Sequence, residues 1–318
     1  MRTRNWIFSC LFSLLCCWTA PASCDEFFAK CLDVVQRLPD CSLDDIDIKR
    51  LGGGATNYNY RVASDGKSYF VRIGNPFGSI LGVDVASEYH ITKPLAEKGV
   101  APAIVAFFED VPALVCEFIE TDGREVDIRS SDIQQRLVEQ LQVVHDMGAI
   151  FPNSFCPFAT IEWSYKQCLD FGVDLPEEVH DILLPSILSL RNTITRSPKL
   201  SPCHLDLWNT NLLDDGDKLW IIDWEYGALA DPYLDLAALC ATHNFSDGEM
   251  QEFLTLYQGN ITATEWEHFQ HSRILMDARW ALWSFLQNML SSDDSFPFEA
   301  NAHMYLNSAL TRIKAWNL

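Results

Sequence analysis

One segment of this 318-residue chain interrupts a second half that otherwise has helical character. Apolar residues recur at helical spacing over residues 132–147 and 177–194, and three more helical stretches are predicted from Asp247 to the C-terminus. Residues 203–223 do not follow this period, because they contain an Asp- and Gly-rich turn and the apolar run 219–222, which is typical of a buried strand. The second half is therefore predicted to be a mainly helical lobe that contains one non-helical segment.

The first half has a different pattern. Residues 46–73 alternate between β-rich runs and a glycine-rich turn, which predicts an antiparallel hairpin. Residues 84–98 have helical spacing that stops at a glycine, and residues 113–119 form a short apolar run of strand type. We therefore predict an α+β protein with a small β-rich N-lobe over residues 42–121 and a larger, mainly helical C-lobe over residues 122–318.

The charge of the chain limits its partners. It has 23 Lys and Arg residues against 44 Asp and Glu residues, a formal charge of −21, with 48% hydrophobic residues. This charge repels nucleic-acid phosphates and anionic membrane surfaces and attracts a small cation. We expect a globular protein that binds no nucleic acid and does not insert stably into a membrane, with a small-molecule substrate as its partner.

The N-terminus resembles a secretory signal. Arg2 and Arg4 precede an apolar run over residues 7–20, and small residues follow where a signal peptidase would cut. Residues 1–24 are therefore predicted to be a signal peptide, and residues 25–41 an N-terminal extension. A misassigned start codon or an uncleaved extension would explain the same pattern.

Eleven cysteines do not form a recognisable framework. Six of them precede the first glycine-rich segment, and the other five are scattered, beside apolar residues and without C-x-x-C spacing. Buried reduced thiols are favoured over zinc ligands or a full set of disulfides.

The strongest chemical signal lies in residues 204–211, followed after a short hairpin by Asp223. Phosphoryl transfer needs a carboxylate that orients and deprotonates a hydroxyl, and oxygen ligands for Mg²⁺ on the nucleotide phosphates. Asp206, in a His-x-Asp pattern with His204, is the candidate base, and Asn211 and Asp223 are the candidate metal ligands. The alternative is a polar loop with a helix-capping and a strand-ending Asp.

A glycine-rich segment lies upstream, between the first predicted strands. Glycines let backbone N–H groups approach phosphates closely, although a tight hairpin turn would use the same residues. The candidate phosphate-binding residues of this segment are Gly53, Gly54, Thr56 and Asn57. Arg72 on the next strand could reach the phosphates, and Glu88 could hold Arg72 by an ion pair, unless the two are exposed charges on unrelated faces.

Read in order, these motifs resemble those of the choline/ethanolamine kinase family, within the aminoglycoside phosphotransferase-like group. The motifs are residues 53–57, 71–73, Glu88, 114–119, 204–211 and 222–226, and the similarity extends from Ser42 to the C-terminus. The resemblance implies a protein kinase-like bilobal fold, ATP and Mg²⁺ as cosubstrates, and transfer of the γ-phosphoryl group to a hydroxyl. It also implies that Glu117 to Ile119 form the hinge that meets adenine.

Trp280 and Trp283 are the candidate substrate residues of a helical stretch, since residues three apart share a face. Aromatic faces hold a quaternary ammonium, and Glu225 and Tyr226 could add negative charge nearby. The run Arg279–Trp283 resembles the Trp-x-x-Trp of eukaryotic choline kinases and the Arg/Trp/Gln helix of bacterial relatives. Two core tryptophans without a ligand are the alternative.

We therefore expect an ATP-dependent kinase of choline or ethanolamine, which would supply phosphocholine for phospholipids or surface decoration. Another hydroxylated acceptor, such as thiamine, a sugar amine or an aminoglycoside, is the first alternative, because Asp206-Leu207-Trp208 also occurs in fructosamine kinase-like relatives. A catalytically inactive nucleotide-binding module is the second, although all three catalytic positions are present. The exportable leader conflicts with ATP-dependent chemistry, which favours an ATP-containing compartment such as the cytoplasm.

Overall fold

The structure is a computed structural model that describes residues 24–39, 41–52, 57–75, 78, 82–193, 199–291 and 296–318. The predicted signal peptide therefore lies, up to residue 23, outside the described residues. The chain divides into two compact units, of which the first extends to Ala86 and includes Ala103–Phe118, and the second comprises Ser87–Pro102 and Ile119–Leu318. Within the described residues, no helix combines the length and apolar character needed to cross a membrane.

The first unit contains one antiparallel sheet with the strand order β1-β2-β3-β5-β4. Its strands are β1 (Ile46–Arg50), β2 (Tyr58–Ser64), β3 (Lys67–Ile73), β4 (Ile104–Phe108) and β5 (Ala113–Glu117). Asp65 and Gly66 join β2 to β3, and both have positive φ, as a tight two-residue hairpin requires. The predicted hairpin opening is confirmed.

Helix α1 (Cys24–Gln36) supplies the other half of the core of this unit. Phe27, Cys31 and Val35 repeat at i, i+4 and i+8, and their buried side chains pack with the sheet residues Tyr60 and Val71. The predicted N-terminal extension is therefore folded as an integral part of the first unit.

The second unit is mainly helical, as predicted. Its helices are α2 (Val85–Glu97, from Ser87 onward), α3 (Ser131–His145), α4 (Pro157–Asp170), α5 (Leu184–Thr193), α6 (Pro232–Thr242), α7 (Asp247–Gln258), α8 (Ala263–Leu290) and α9 (Phe298–Trp316), with a π-helical turn at Val179–Leu183 before α5. Helix α8 packs against α4, α6 and α9. Because it is surrounded in this way, α8 buries charged as well as apolar side chains, including Arg273, Asp277 and Arg279.

The non-helical segment extends beyond the predicted bounds, to residues 201–230, and contains four short strands and two 3₁₀ turns. Strand β6 (Ser201–Cys203) pairs with β9 (Ala228–Ala230), and β7 (Leu212–Asp214) pairs with β8 (Leu219–Ile221). Leu205, Leu207 and Ile221 anchor the segment in the core of the second unit. The polar residues of the segment are thus held between buried apolar neighbours.

The cysteines of the described residues agree with the sequence analysis. Those whose state is described are free thiols, and Cys31, Cys116, Cys168, Cys203 and Cys240 are buried. Burial raises the pKa of the Cys31 and Cys240 thiols to about 12, so they are protonated and act as small apolar side chains.

Candidate active site

The loop between β6 and β7 carries the candidate base. Asp206 is 8% exposed, and its Oδ1 atom accepts no hydrogen bond within the described residues. The Asn211 amide nitrogen donates to the Asp206 carbonyl oxygen at 2.8 Å and lies 3.3 Å from its Oδ2. Burial, and then the negative charge of Asp223, raise the pKa of the Asp206 carboxyl to about 7. Asp206 thus presents a buried carboxylate oxygen with an open acceptor position.

His204 connects this loop to the end of β8. The ring is fully buried, its Nε2 lies 2.8 Å from the Ile222 carbonyl oxygen, and its Nδ1 accepts the Asp206 N–H at 3.2 Å. Burial lowers the pKa of His204, so the neutral ring, with the proton on Nε2, satisfies both contacts. His204 therefore holds the loop next to Ile222, the residue before Asp223.

Asp223 follows β8 in the left-handed region, with φ 65° and ψ 61°. Few residues other than Gly adopt this conformation without cost, although Asp is among those that tolerate it. The charge of Asp223 acts on both Asp206 and His204. The structure thus brings the three predicted residues Asp206, Asn211 and Asp223 into one site of the second unit.

A second aspartate, Asp235, binds the backbone of this loop. Asp235 lies in the first turn of α6 and accepts the backbone N–H groups of His204 at 3.0 Å and Leu205 at 2.7 Å. His145 Nε2 lies 2.9 Å from the same carboxylate. The N-cap of α6 is Asp231, whose side chain accepts the Tyr233 N–H. Asp235 does not cap the helix but fixes the loop through these hydrogen bonds.

Three aromatic side chains lie close to one another in the same unit. The Trp280 and Trp283 rings meet edge to face with centroids 5.5 Å apart, and Tyr226 meets Trp280 at 6.2 Å. We call these three residues the aromatic cluster. Its indole N–H groups and the Tyr226 hydroxyl have no hydrogen-bond partner within the described residues. Trp280 is only 2% exposed, which agrees with the core alternative for this residue, whereas Trp283 is half-buried.

Arg279, the first residue of the predicted substrate run, had no role of its own predicted from the sequence. Its guanidinium lies 4.1 Å from the Trp280 ring centroid and 4.9 Å from that of Tyr226, and Nη1 donates to the Leu205 carbonyl oxygen at 2.9 Å. The positive charge of Arg279 opposes the rise in the pKa of Asp206. A basic residue among the apolar residues of a predicted helix was the sequence signal that could have indicated a site residue here.

Glu225 is buried in the 3₁₀ turn that follows Asp223. Burial, and then the negative charge of Glu225, raise the pKa of the neighbouring Tyr226 hydroxyl, which is therefore protonated and able to donate a hydrogen bond. The predicted acidic group thus lies beside the aromatic cluster.

The predicted nucleotide residues belong mostly to the first unit. Arg72 on β3 is buried and its Nε donates to the Asn59 side chain at 3.1 Å, while Asn57 Oδ1 accepts the Asn75 N–H at 3.1 Å. Glu117 ends β5. Two further predicted residues, Ile119, which is half-buried, and Glu88, which is buried in the first turn of α2, belong to the second unit. Gly53, Gly54 and Thr56 lie outside the described residues.

Comparison with known proteins gives one matching family and several similar folds. Residues 47–269 match the phosphotransferase enzyme family. Protein LicA of Haemophilus influenzae is 22% identical over 249 residues, which cover 73% of this chain and 71% of LicA. The structure of the choline kinase LicA of Streptococcus pneumoniae has a TM-score of 0.74 at 22% identity, covering 90% of this chain and 99% of that one.

A Plasmodium vivax ethanolamine kinase has a TM-score of 0.75 at 20% identity, covering 95% of this chain and 92% of that one. At these identities the likeness concerns the fold. The predicted kinase-like fold class, a small antiparallel sheet unit with a larger helical unit, is therefore confirmed.

Proposed function

Because this chain belongs to the phosphotransferase enzyme family, we propose that it transfers the γ-phosphoryl group of ATP to the hydroxyl of a small amino alcohol, choline or ethanolamine. The observation that carries the proposal is the open Oδ1 atom of Asp206, a buried acceptor in a loop that is otherwise fully tied down. A buried acceptor without a donor costs free energy, and an incoming hydroxyl supplies that donor.

In this proposal, Asp206 accepts the hydrogen bond of the substrate hydroxyl and takes its proton as the oxygen bonds to phosphorus. The proton passes to Asp206 and the bond between the γ-phosphorus and the bridging oxygen of ATP breaks, which leaves ADP. A carboxyl with a pKa of about 7 is well matched to this exchange near neutral pH. His204 keeps the loop in register with Asp223 and takes no part in the proton transfer.

The residues present fit a magnesium ion. The negative charge of Asp223 raises the pKa of the buried Asp206 carboxyl, so a cation is favoured at this site. Oxygen atoms of Asp223 and Asn211 are the ligand types that Mg²⁺ prefers. The Asn211 amide nitrogen is used within the loop, so its amide oxygen is the atom for a cation. When bound, the ion would neutralise charge on the nucleotide phosphates.

The nucleotide is proposed to be held by Gly53, Gly54, Thr56 and Asn57 at its phosphates. Arg72 is a further proposed phosphate contact, with Glu88 as its predicted partner, and Glu117 to Ile119 are proposed to meet adenine. Support comes from the buried guanidinium of Arg72, which Asn59 orients through one hydrogen bond. A fixed guanidinium suits phosphate recognition because its donors form a rigid fork.

The amino alcohol is proposed to contact the aromatic cluster and Glu225. Aromatic faces and a carboxylate attract an ammonium group, and the choline kinase and ethanolamine kinase among the similar structures favour such an acceptor.

A second acceptor class has an observation in its favour. Arg279 already lies over the Trp280 and Tyr226 rings, and the donors of the aromatic cluster have no partner within the described residues. An acceptor with further oxygen atoms, such as a sugar amine or an aminoglycoside, would satisfy those donors.

The test is a panel of hydroxylated amines incubated with the purified protein, ATP and Mg²⁺, with ADP release and product mass recorded. Choline, ethanolamine, thiamine, a sugar amine and an aminoglycoside form the panel, and the Asp206→Asn variant is the control for contaminating kinases. We expect the highest kcat/KM for choline or ethanolamine. Turnover of polyhydroxylated amines alone would show that the acceptor is a sugar amine or an aminoglycoside. Equal turnover by Asp206→Asn would show that Asp206 is not the base.

A further inference from the structure

Leu205, the residue before the candidate base, is held in an unusual conformation. Its φ is +66°, in the left-handed region, which is unfavourable for a residue with a Cβ because the Cβ approaches the following carbonyl oxygen. The side chain is fully buried, so the backbone cannot relax without moving it through the core. Something must hold this peptide in place, because the position of Asp206 depends on it directly.

The two polar groups of Leu205 contact side chains of opposite charge. Its N–H donates to Asp235 Oδ1 at 2.7 Å, and its carbonyl oxygen accepts from Arg279 Nη1 at 2.9 Å. Hydrogen bonds to ionised groups are about twice as strong as neutral ones. Asp235 reaches the loop from α6 and Arg279 from α8, so two different helices hold one strained residue.

Arg279 differs from the other buried arginine of the same helix. Arg273 Nη1 lies 3.1 Å from Asp277 Oδ1, one helical turn away. For Arg279, the contacts recorded within the described residues are the Leu205 carbonyl and the aromatic rings of Trp280, Tyr226 and Phe155, without a carboxylate in ion-pair distance. Burying a guanidinium in this way costs stability, so its presence calls for another explanation.

We propose that Arg279 is a positioning residue for phosphoryl transfer, which holds the Leu205 carbonyl, and through it Asp206, at a fixed place relative to the aromatic cluster. The guanidinium carbon lies over both the Trp280 and the Tyr226 rings, whose planes are nearly perpendicular, and these two contacts restrict the direction of the donor that reaches Leu205. The inference rests on the proposed function, because it assigns the acceptor to the aromatic cluster and the base to Asp206.

Arg279→Lys and Arg273→Lys form a matched pair, since both positions are buried on α8 and both variants keep the positive charge. A lysine ammonium lacks the rigid fork of donors with which Arg279 reaches the Leu205 carbonyl while it contacts the two rings. We expect Arg279→Lys to lower kcat by about 10- to 100-fold, the scale of a misplaced catalytic group. KM for ATP should stay unchanged, and Arg273→Lys should keep the kcat of the wild type.

The assay measures kcat and KM for the best acceptor of the panel and for ATP, together with the melting temperature of each variant. Equal kcat in the two lysine variants, with melting temperatures lowered alike, would show that Arg279 has a structural role only and would overturn the inference alone. A wild-type protein that transfers phosphate to no acceptor would overturn the proposed function and this inference with it. Arg279→Met, which keeps an apolar stem, provides the second variant, and it should lose at least as much kcat as Arg279→Lys.

Discussion

Two aspartates of the second unit are both buried, but their surroundings are opposite. Asp235 is held by the N–H groups of His204 and Leu205 and by the His145 ring. Burial alone would raise its pKa, but the His145 contact and these N–H donors outweigh burial and hold the pKa below its ordinary value. Asp206 has an open oxygen and a negative neighbour, and its pKa is raised to about 7.

This difference in hydrogen bonding distinguishes an aspartate that holds the loop from an aspartate that can react. A carboxylate whose lone pairs are filled by the protein has no capacity left for a substrate, whereas one with an open acceptor can bind and deprotonate a hydroxyl. Environments that push the pKa values of two neighbouring acids apart are a general mark of a division of roles. Here Asp235 organises the loop and Asp206 is proposed to react.

The largest effect is expected for Asp206→Asn. The amide cannot take the proton of the substrate, so kcat should fall by about 10²- to 10⁴-fold. Nucleotide affinity and the melting temperature should be kept or slightly raised, because the variant removes an unpaired buried charge. Stopped-time ADP assays and calorimetric binding of ATP check both parts. A kcat near that of the wild type would end the assignment of Asp206.

Asp235→Asn should instead lower the stability of the protein. The amide places N–H donors where the loop also presents N–H donors, and breaking a buried pair of this kind costs about 3–5 kcal/mol. Urea unfolding of the variant against Asp206→Asn measures the contrast. A variant as stable as the wild type would contradict the supporting role of Asp235.

The pH dependence of stability provides a third test. Between the ordinary carboxyl pKa of 3.8 and the raised value of about 7, the folded protein binds a proton at Asp206 that the unfolded chain releases. Stability from this group is therefore fully present below pH 3.8 and is lost as pH rises to about 7, at about 1.4 kcal/mol per pH unit. In metal-free buffer, the melting temperature of Asp206→Asn minus that of the wild type should increase as pH rises from 3.8 to about 7. A constant difference would show that the carboxyl is not perturbed.

The smallest effect is expected at the aromatic cluster. If choline is the acceptor, Trp283→Ala removes a cation–π contact of about 0.5–2 kcal/mol, a two- to thirtyfold rise in KM at about 1.4 kcal/mol per tenfold. Trp283→Phe should recover part of the loss because it keeps a ring face. Trp280→Ala is the control, because that side chain is almost fully buried and should affect the melting temperature most. An unchanged KM in Trp283→Ala would argue for packing alone.

Much of the fold was predictable because the pattern is local. Strands β2, β3 and β5 and helix α3 carry clear apolar patterns, and the predicted segments coincide with them closely. Strand β4 was missed because its sequence is a short continuous apolar run without the alternation that marks a strand with one exposed face. Helix α4 was missed because only Ile161, Ser164 and Cys168 of its residues are buried, which leaves a weak apolar stripe.

In the candidate site, the spacing of Asp206, Asn211 and Asp223 could be read from the sequence because the three share one short segment. The contribution of Arg279 could not, because it depends on a contact between α8 and a loop that lies 74 residues away along the chain. The role of Asp235 has a similar cause. Its contacts with the loop join residues that are about 30 positions apart along the chain, and only the folded chain brings them together.

Carboxyl carbon NMR of protein labelled at aspartate measures the contrast between Asp206 and Asp235 directly. We predict one resonance with a midpoint near pH 7 in metal-free buffer, absent from Asp206→Asn. We also predict a second buried resonance, absent from Asp235→Asn, that titrates below the ordinary range of an Asp. If the resonance lost in Asp206→Asn titrates near pH 3.8 like a solvent-exposed Asp, Asp206 has no perturbed environment and its assignment as the base is contradicted.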